Sequence, residues 1–400
     1  MVLITLKTCF EKFRALNSLL LVLIQTNESI MIINKKVKKV LLAITILILF
    51  STFVELQSCR VHKPSFKGTD LQKRNSLQGS GFSQKKLDDL SNYLKEKSAT
   101  TGMVVLYDGQ VVYEYGNVEE ISYLASCRKS VLSMLYGKYV ADGTINLNQS
   151  IGDLGIDEDD GLLPSEKEAT VNDIITARSG VFHIPANGGY DEKNVLERGS
   201  VKHGEYFLYN NWDFNVAGYI IEQATGRSVY EEIEQQLAIP LGMQDWNIKN
   251  QSRKVNESKS RYSAYHMYFS TRDMAKIGQL MLNKGRWNGK QLISEKWIDK
   301  ITSVVTSVEI VNKRYGKNKQ SKVKLSYGYM WWLIENLYGI KDLQGAYSAT
   351  GWGGQYITVI PKRKLVIAHK TKLSTLTLWG LKPGGVDGWQ YWEIVKRLLS

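Results

Sequence analysis

The sequence predicts an α/β (α+β) fold in which both ends of the folded region supply strands and a helical region is inserted between them. Near its start, Gly102–Tyr107 and Gln110–Tyr115 alternate apolar and polar side chains around Asp108-Gly109, a two-residue turn that favours a hairpin. Toward the end of the chain, strand patterns return at Leu325–Ile334, Gln355–Ile360 and Lys364–His369. Residues 144–300 are mainly helical in pattern. The strands of both ends are therefore expected to share one region.

The helices are predicted from apolar spacing and from the glycines and prolines that end them. A surface helix with Leu87, Leu90 and Leu94 on its apolar side starts at Ser83, which is expected to cap it. A much more apolar helix follows Ser126. Further helices are predicted at Asp213–Ala224, Tyr230–Leu237, Arg272–Asn283, Glu295–Thr302 and Trp389–Leu399.

The composition is typical of a globular protein of one large domain or two interleaved ones, since 43% of the 400 residues are hydrophobic. Part of the net charge of +13 lies in two polar stretches, Lys249–Arg261 and Lys313–Lys324, which are predicted to be solvated loops. No motif that interleaves basic with aromatic residues supports a nucleic-acid surface, so nucleic acid is not an expected partner.

Cysteine and histidine usage argues against a metal or cofactor enzyme. The three cysteines, Cys9, Cys59 and Cys127, cannot form a disulfide framework. The five histidines have no metal-ligand spacing, and the sequence contains no H-E-x-x-H, C-x-x-C or phosphate-binding glycine loop. No cofactor and no metal are therefore expected.

An export signal is predicted near the N-terminus. The basic cluster Lys35–Lys39 precedes Val40–Val54, an apolar run of signal-peptide length that is short for a membrane span. The run ends in Leu56-Gln57-Ser58-Cys59, which resembles the lipobox of bacterial lipoproteins. That resemblance implies that Cys59 is lipidated and becomes the mature N-terminus. An uncleaved membrane anchor is the alternative, and either way the domain is expected outside the cytoplasm, in the cell envelope.

These features predict three parts of the chain. Residues 1–59 form an N-terminal extension and signal/lipoprotein segment, in which Met31 is the expected initiator and residues 1–30 an upstream extension. Residues 60–82, rich in Lys, Ser, Gly and Gln, are predicted to be a tether. Residues 83–398 are predicted to be the folded domain.

Ser126 and Lys129 are the candidate catalytic pair. Three residues apart in the first turn of a buried helix, they share one face of it. A desolvated lysine loses its proton more easily and can act as a base near neutral pH, which is the Ser-Lys form of nucleophilic catalysis. The same spacing occurs at Ser83/Lys86 and Ser321/Lys324, so a capping serine beside a lysine that reaches solvent remains an alternative.

Two later segments complete a set of motifs in order: Tyr209-Asn210-Asn211 before a helix, and Thr350-Gly351-Trp352-Gly353-Gly354 before a strand. S-x-x-K, then Y-x-N, then a Gly-rich third element resembles the serine β-lactamase and penicillin-binding protein superfamily. The tyrosine in the second motif resembles the class C branch, which includes family VIII esterases, D-amino-acid peptidases and 6-aminohexanoate-oligomer hydrolases. The resemblance implies a β-lactamase/transpeptidase-like fold, with an antiparallel sheet flanked by helices and an inserted helical region.

The resemblance also implies a role for each site residue. Ser126 would attack a carbonyl, Lys129 would hold or take its proton, and Tyr209 would act as a phenolate-like base and later as an acid. Asn211 would orient Lys129 or bind a substrate amide. Gly351 and Trp352 belong to the third motif, and the backbone N–H groups of Ser126 and Trp352 would form the oxyanion hole.

The third motif departs from the family pattern. Ala349 stands where β-lactamases and D-Ala peptidases place Lys or His, the cation that receives a substrate carboxylate. Arg178 replaces a usual histidine in another segment, where a surface salt bridge or an anion contact is its expected role. We therefore expect a serine hydrolase that acts on a small ester or amide. The alternatives are a β-lactamase or D-Ala-type peptidase and a non-catalytic lipoprotein that binds a cell-wall ligand.

Overall fold

The computed structural model describes residues 70–315, 322–378, 381 and 384–400. The strands are β1 (Gly102–Tyr107), β2 (Gln110–Gly116), β3 (Ser122–Tyr123), β4 (Ser252–Asn256), β5 (Ser260–His266), β6 (Tyr268–Phe269), β7 (Arg286–Trp287), β8 (Lys290–Gln291), β9 (Val323–Tyr327), β10 (Trp332–Leu337), β11 (Tyr347–Gly351), β12 (Gln355–Ile360) and β13 (Leu365–Lys370). The helices are α1 (Gln84–Lys97), α2 (Cys127–Ala141), α3 (Pro164–Lys167), α4 (Val171–Ile175), α5 (Asn211–Thr225), α6 (Val229–Ile233), α7 (Ile239–Leu241), α8 (Thr271–Leu282), α9 (Glu295–Ile301), α10 (Val308–Tyr315), α11 (Thr375–Leu378) and α12 (Gly388–Leu399).

A seven-stranded antiparallel sheet, in the order β2-β1-β13-β12-β11-β10-β9, joins the two ends of the described chain. The predicted hairpin forms β1 and β2, and β1 pairs with the last strand, Val105 opposite Ile367. The expectation that strands from both ends share one region, with helices inserted between them, is confirmed.

Alternate side chains of the strands enter two apolar clusters on opposite faces of the sheet. Val104 and Leu106 of β1 pack in the cluster that contains α2 and α5. Met103 and Val105 pack in the other cluster, with α1 and α12. Helices therefore flank both faces of the sheet. Ser83 caps α1 as predicted, since its hydroxyl accepts a hydrogen bond from the Lys86 amide at 3.3 Å.

Three predictions of secondary structure are wrong, and one of them is the solvated loop Lys313–Lys324, whose first residues belong to α10 and whose last two belong to β9. Leu325–Ile334 was predicted as one strand, but β9 and β10 are separated by a turn that contains Met330 at φ +65°. Met330 and Trp331 are buried in that turn, so the apolar pattern continues where the strand does not. Lys249–Arg261, predicted as a solvated loop, contains β4, which pairs with β5 while most of its own side chains stay exposed.

The segment before α1 is attached to the domain where it is described. Lys73 pairs with Val111 at the edge of β2, and the Arg74 amide donates to the Val111 carbonyl at 2.9 Å. Leu71 and Phe82 pack against the apolar clusters. The second half of the predicted tether, residues 70–82, therefore lies along the domain.

The predicted signal segment and Cys59 lie outside the described residues. In the part of the chain that the structure describes, no helix combines the length and the apolarity needed to span a bilayer.

Candidate active site

A sharp turn between β3 and α2 presents Ser126. β3 is fixed by pairing with β6, and the Leu124 amide donates to the Met267 carbonyl at 2.8 Å. Ala125 then adopts φ +48°, in the left-handed region that residues other than glycine seldom occupy. Ser126 is the N-cap of α2, yet its hydroxyl makes no capping hydrogen bond. The alternative of a capping serine therefore does not apply to Ser126.

Lys129 lies next to Ser126 inside the protein. The Lys129 Nζ is 3.1 Å from the Ser126 Oγ, and the lysine is only 1% exposed. Burial lowers the pKa of Lys129 well below its usual value, and the neighbouring charge of Arg128 lowers it further. Lys129 does not reach solvent, and no carboxylate forms an ion pair with it among the residues that the structure describes. The surroundings of Lys129 therefore favour the neutral amine beside the serine hydroxyl.

Tyr209 completes the cluster. Its ring centroid is 4.0 Å from the Lys129 Nζ, and its hydroxyl is within hydrogen-bonding reach of Ser126 and Trp332. Desolvation raises the pKa of Tyr209 to about 12, although the bond with Ser126 and the charge of Arg128 act in the opposite direction. The phenol is therefore protonated at neutral pH, which disagrees with the expected resting role as a phenolate base.

Asn211 is the first residue of α5 and holds a neighbouring loop. Its Nδ2 donates to the Gly188 carbonyl, and its backbone amide donates to the Gly189 carbonyl at 3.3 Å. Its Oδ1 is buried and has no hydrogen-bond partner among the described residues. Asn211 makes no hydrogen bond with Lys129 there, so the expectation that it orients the lysine is not met. The free Oδ1 is compatible with the other expectation, contact with a substrate amide.

Gly351 packs directly against the turn that presents Ser126. A Cβ at this position would lie 2.7 Å from the Leu124 carbonyl oxygen and 3.2 Å from the Cys127 amide nitrogen, so no side chain fits without moving the turn. The backbone amides of Ser126 and Trp352 donate no hydrogen bond within the described part of the protein. Both N–H groups are therefore free to receive an oxyanion.

A cavity of about 370 Å³ is lined by two residues that contact Tyr209, although Ser126, Lys129 and Tyr209 are not themselves among its described lining residues. The two residues are Trp332, which reaches the Tyr209 hydroxyl, and Tyr315, whose hydroxyl accepts a hydrogen bond from the Tyr209 amide at 2.9 Å. Most other lining side chains are apolar or aromatic, and they include Val311, Leu325, Tyr356, Trp389 and Trp392. Asp387 is the carboxylate among the lining residues. We call this cavity the aromatic groove.

The structure places several predicted residues away from the groove. Trp352, expected to form an aromatic wall, is 56% exposed and is not among the described residues that line the groove. Ala349 is fully buried in β11, opposite Ile357. Arg178 donates to the Gly204 carbonyl at 2.8 Å and the Thr306 hydroxyl at 3.1 Å, so its expected surface salt bridge is absent from the described part of the chain.

Sequence reasoning missed three side chains beside the cluster: Arg128, Tyr315 and Trp332. Arg128 was visible between Ser126 and Lys129, at a helix start that the sequence already marked as buried. Trp332 was hidden in the segment predicted as one long strand. Tyr315 lies within Lys313–Lys324, the lysine-rich stretch predicted to be a solvated loop, and nothing in its local pattern connects it with Tyr209.

A family comparison agrees with this geometry. The family model described as Beta-lactamase matches residues 89–374, which is most of the chain. The chain belongs to the beta-lactamase family. It is a serine hydrolase enzyme, and the resemblance and the fold predicted from the sequence are confirmed.

The chain is also similar to individual hydrolases, at low sequence identity. The 6-aminohexanoate-dimer hydrolase of Paenarthrobacter ureafaciens is 21% identical over 70% of this beta-lactamase family chain and 74% of its own length. Among solved structures, a family VIII carboxylesterase has a TM-score of 0.56 at 15% identity, over 79% of this chain and 97% of its own. EstCE1, a hydrolase with promiscuous acyltransferase activity, has a TM-score of 0.57 at 13% identity, over 79% and 98%. At these identities the structural likeness shows the fold.

Proposed function

We propose that this beta-lactamase family protein hydrolyses a small, uncharged or apolar ester or amide through an acyl-enzyme on Ser126. One observation carries the proposal: the Ser126 Oγ lies 3.1 Å from the amine of a fully buried lysine whose pKa is strongly lowered. A hydroxyl beside a neutral amine has a base available at neutral pH.

The proposed acylation uses each group once. The Ser126 proton passes to the Lys129 amine as the Oγ bonds to the substrate carbonyl carbon. The backbone amides of Ser126 and Trp352 hold the negative oxygen that forms. When the bond to the leaving group breaks, that group takes a proton from the Tyr209 hydroxyl, and Tyr209 regains one from the Lys129 ammonium.

Deacylation follows the same order of proton transfers, with water as the nucleophile and Ser126 as the leaving group. A water molecule gives a proton to the neutral Lys129 amine and bonds to the acyl carbon. The Ser126 oxygen leaves with a proton from the Tyr209 hydroxyl, Tyr209 regains one from the Lys129 ammonium, and the acid is released. In this scheme Tyr209 acts as a proton donor, which agrees with its raised pKa.

The substrate class is proposed from the charge and shape of the surroundings. Ala349 supplies no cation for a substrate carboxylate, and Asp387 on the aromatic groove repels one. Trp332 and Tyr315 give an apolar substituent a surface next to Tyr209. The relatives named for 6-aminohexanoate-dimer and carboxylester hydrolysis support an amide or ester, and the tyrosine motif supports the class C branch.

The ratio of two catalytic efficiencies tests this substrate class. We expect kcat/KM for p-nitrophenyl butyrate to exceed that for nitrocefin, since a missing charge-assisted hydrogen bond costs roughly one to two powers of ten. A clear preference for nitrocefin would favour a β-lactamase or D-Ala-type peptidase instead. Activity on neither substrate, without labelling by a fluorophosphonate probe, would favour a non-catalytic lipoprotein.

We also propose that the protein is exported and anchored in the cell envelope through a lipid on Cys59, facing the periplasm or the cell surface. The proposal is supported by Lys35–Lys39, the apolar run Val40–Val54 and the lipobox-like Leu56-Gln57-Ser58-Cys59. Expressed in a bacterium, the protein should take up labelled fatty acid, and Cys59→Ala should abolish that uptake. Uptake that survives the substitution, or mature protein free in the cytoplasm, would contradict the lipoprotein proposal.

A further inference from the structure

Arg128, between Cys127 and Lys129 in the first turn of α2, is a buried cation whose charge the described structure leaves uncompensated. It is only 1% exposed. Its Nη2 donates to the Asn215 Oδ1 at 3.2 Å, and its guanidinium lies 4.3 Å from the Tyr265 ring centroid. Its Nη1 is buried and has no hydrogen-bond partner among the described residues, where no carboxylate pairs with the guanidinium either. Burying a charge without a partner is costly.

The groups that face Arg128 are neutral at pH 7. Tyr123 on β3, Tyr230 on α6 and Tyr265 on β5 have pKa values raised by burial, and burial lowers the pKa of His266, also on β5, to about 4. On α5 the contact is the neutral amide of Asn215. A single charge in such a shell is poorly screened, so it acts strongly on nearby ionisable groups.

The other groups around Lys129 are uncharged, so the charge of Arg128 is the dominant one there as well. Cys127 is a buried thiol with a raised pKa, Tyr209 is a protonated phenol, and Phe214 places its ring centroid 4.3 Å from the Lys129 Nζ. Arg128 is therefore the fixed cation that the Lys129 amine and the Tyr209 hydroxyl both experience.

We propose that Arg128 is a positioning residue of the Ser126 site: its uncompensated charge adds to the burial of Lys129 in favouring the unprotonated amine at neutral pH, and so makes the lysine a better proton acceptor. This inference rests on the proposed function of Ser126 and Lys129. We assign Arg128 no contact with the substrate, because its guanidinium is buried and contacts Tyr265 and Asn215. It acts through the protonation state of its neighbours.

The test compares the pH dependence of the rate of fluorophosphonate labelling in Arg128→Met, Arg128→Lys and the unaltered protein. Without the repelling cation, protonated Lys129 becomes less unfavourable and its pKa rises. The acid limb of the Arg128→Met profile should therefore move to higher pH. Labelling should fall about tenfold near neutral pH and recover toward the unaltered rate in alkaline buffer. Arg128→Lys keeps a charge and should restore most of the neutral-pH rate.

A second pair of variants leaves Arg128 in place, in case Arg128→Met does not fold. Asn215→Asp puts a carboxylate against the guanidinium and should also move the acid limb to higher pH. Asn215→Leu is the control: like Asn215→Asp, it loses the hydrogen bonds that the Asn215 amide donates to Asn187 and to the Tyr262 carbonyl. Because it adds no charge, the acid limb of its pH profile should stay in place. Circular dichroism and thermal melting confirm that each variant is folded.

The outcomes separate this inference from the proposed function. An equal loss of rate at every pH in Arg128→Met, or an unmoved acid limb in Asn215→Asp, would overturn the role of Arg128 while Ser126-dependent labelling persists. Labelling that survives Ser126→Ala would instead overturn the proposed function. A shift in both charge-changing variants, with no shift in Asn215→Leu, supports the inference.

Discussion

Two helices of this protein begin with the same S-x-x-K spacing, and they differ in almost everything else. At α1, Ser83 accepts a hydrogen bond from the Lys86 amide, and Lys86 is partly exposed and reaches the Ser400 carbonyl. At α2, Ser126 caps nothing and Lys129 is fully buried beside it. The S-x-x-K spacing by itself is therefore compatible with an ordinary capping serine, as at α1. A site needs the burial that lowers the lysine pKa and the turn that frees the serine hydroxyl.

The largest effect expected from this comparison is at the serines. Ser126→Ala should abolish fluorophosphonate labelling and turnover with little change in melting temperature, because the hydroxyl makes no capping bond. Ser83→Ala is the matched control. It should destabilise the fold by about 1 kcal/mol, the usual value for a lost cap, with activity retained. If labelling persists in Ser126→Ala, the nucleophile lies elsewhere.

The lysines should differ almost as strongly. Lys129→Met keeps the length of the side chain but removes the base, so kcat/KM should fall by about 10²- to 10⁴-fold. Lys86→Met removes the lysine that has the same spacing from its serine on the surface helix α1, and it should leave kcat/KM unchanged. Steady-state kinetics on p-nitrophenyl butyrate measure both. A similar small loss in the two variants would mean that Lys129 is only structural.

Two exposed tryptophans give the smallest expected difference. Trp389 lines the aromatic groove, whereas Trp352 lies outside it and offers the site its backbone amide. Trp389→Ala should lower kcat/KM for esters with an aromatic substituent several-fold more than for acetate esters, since it removes apolar contact area. Trp352→Ala should change that ratio little. A larger change of that ratio in Trp352→Ala than in Trp389→Ala would mean that Trp352 forms the aromatic wall, as the sequence predicts.

The difference between α1 and α2 also marks the limit of what the sequence could predict. The hairpin of β1 and β2, the buried helix after Ser126 and the meeting of the chain ends follow from local patterns and turn residues, and the structure has them. The proximity of Ser126 and Lys129 follows from helix geometry. These features depend on residues close together in the chain.

The features that sequence reasoning missed depend on packing between distant segments. Tyr209 was expected to be a phenolate, but the rings of Phe214, Tyr327 and Trp332 desolvate it, and two of these lie on β9 and β10. Trp332 enters the site only because the chain turns at Met330, inside a continuous apolar run. Local periodicity carries no information on either point.

The pairing of β1 with β13 affects how the protein folds during its synthesis. The sheet cannot be completed until residues 365–370 have left the ribosome, long after residues 102–107. Closing so large a loop makes folding slow, because its entropy is lost before the contacts between the two strands are gained. The seven-stranded sheet thus stays incomplete through most of the synthesis of the chain. Under the export that we propose, that delay would keep the chain extended for its passage across the membrane, and a chain truncated before β13 should remain a substrate for proteases.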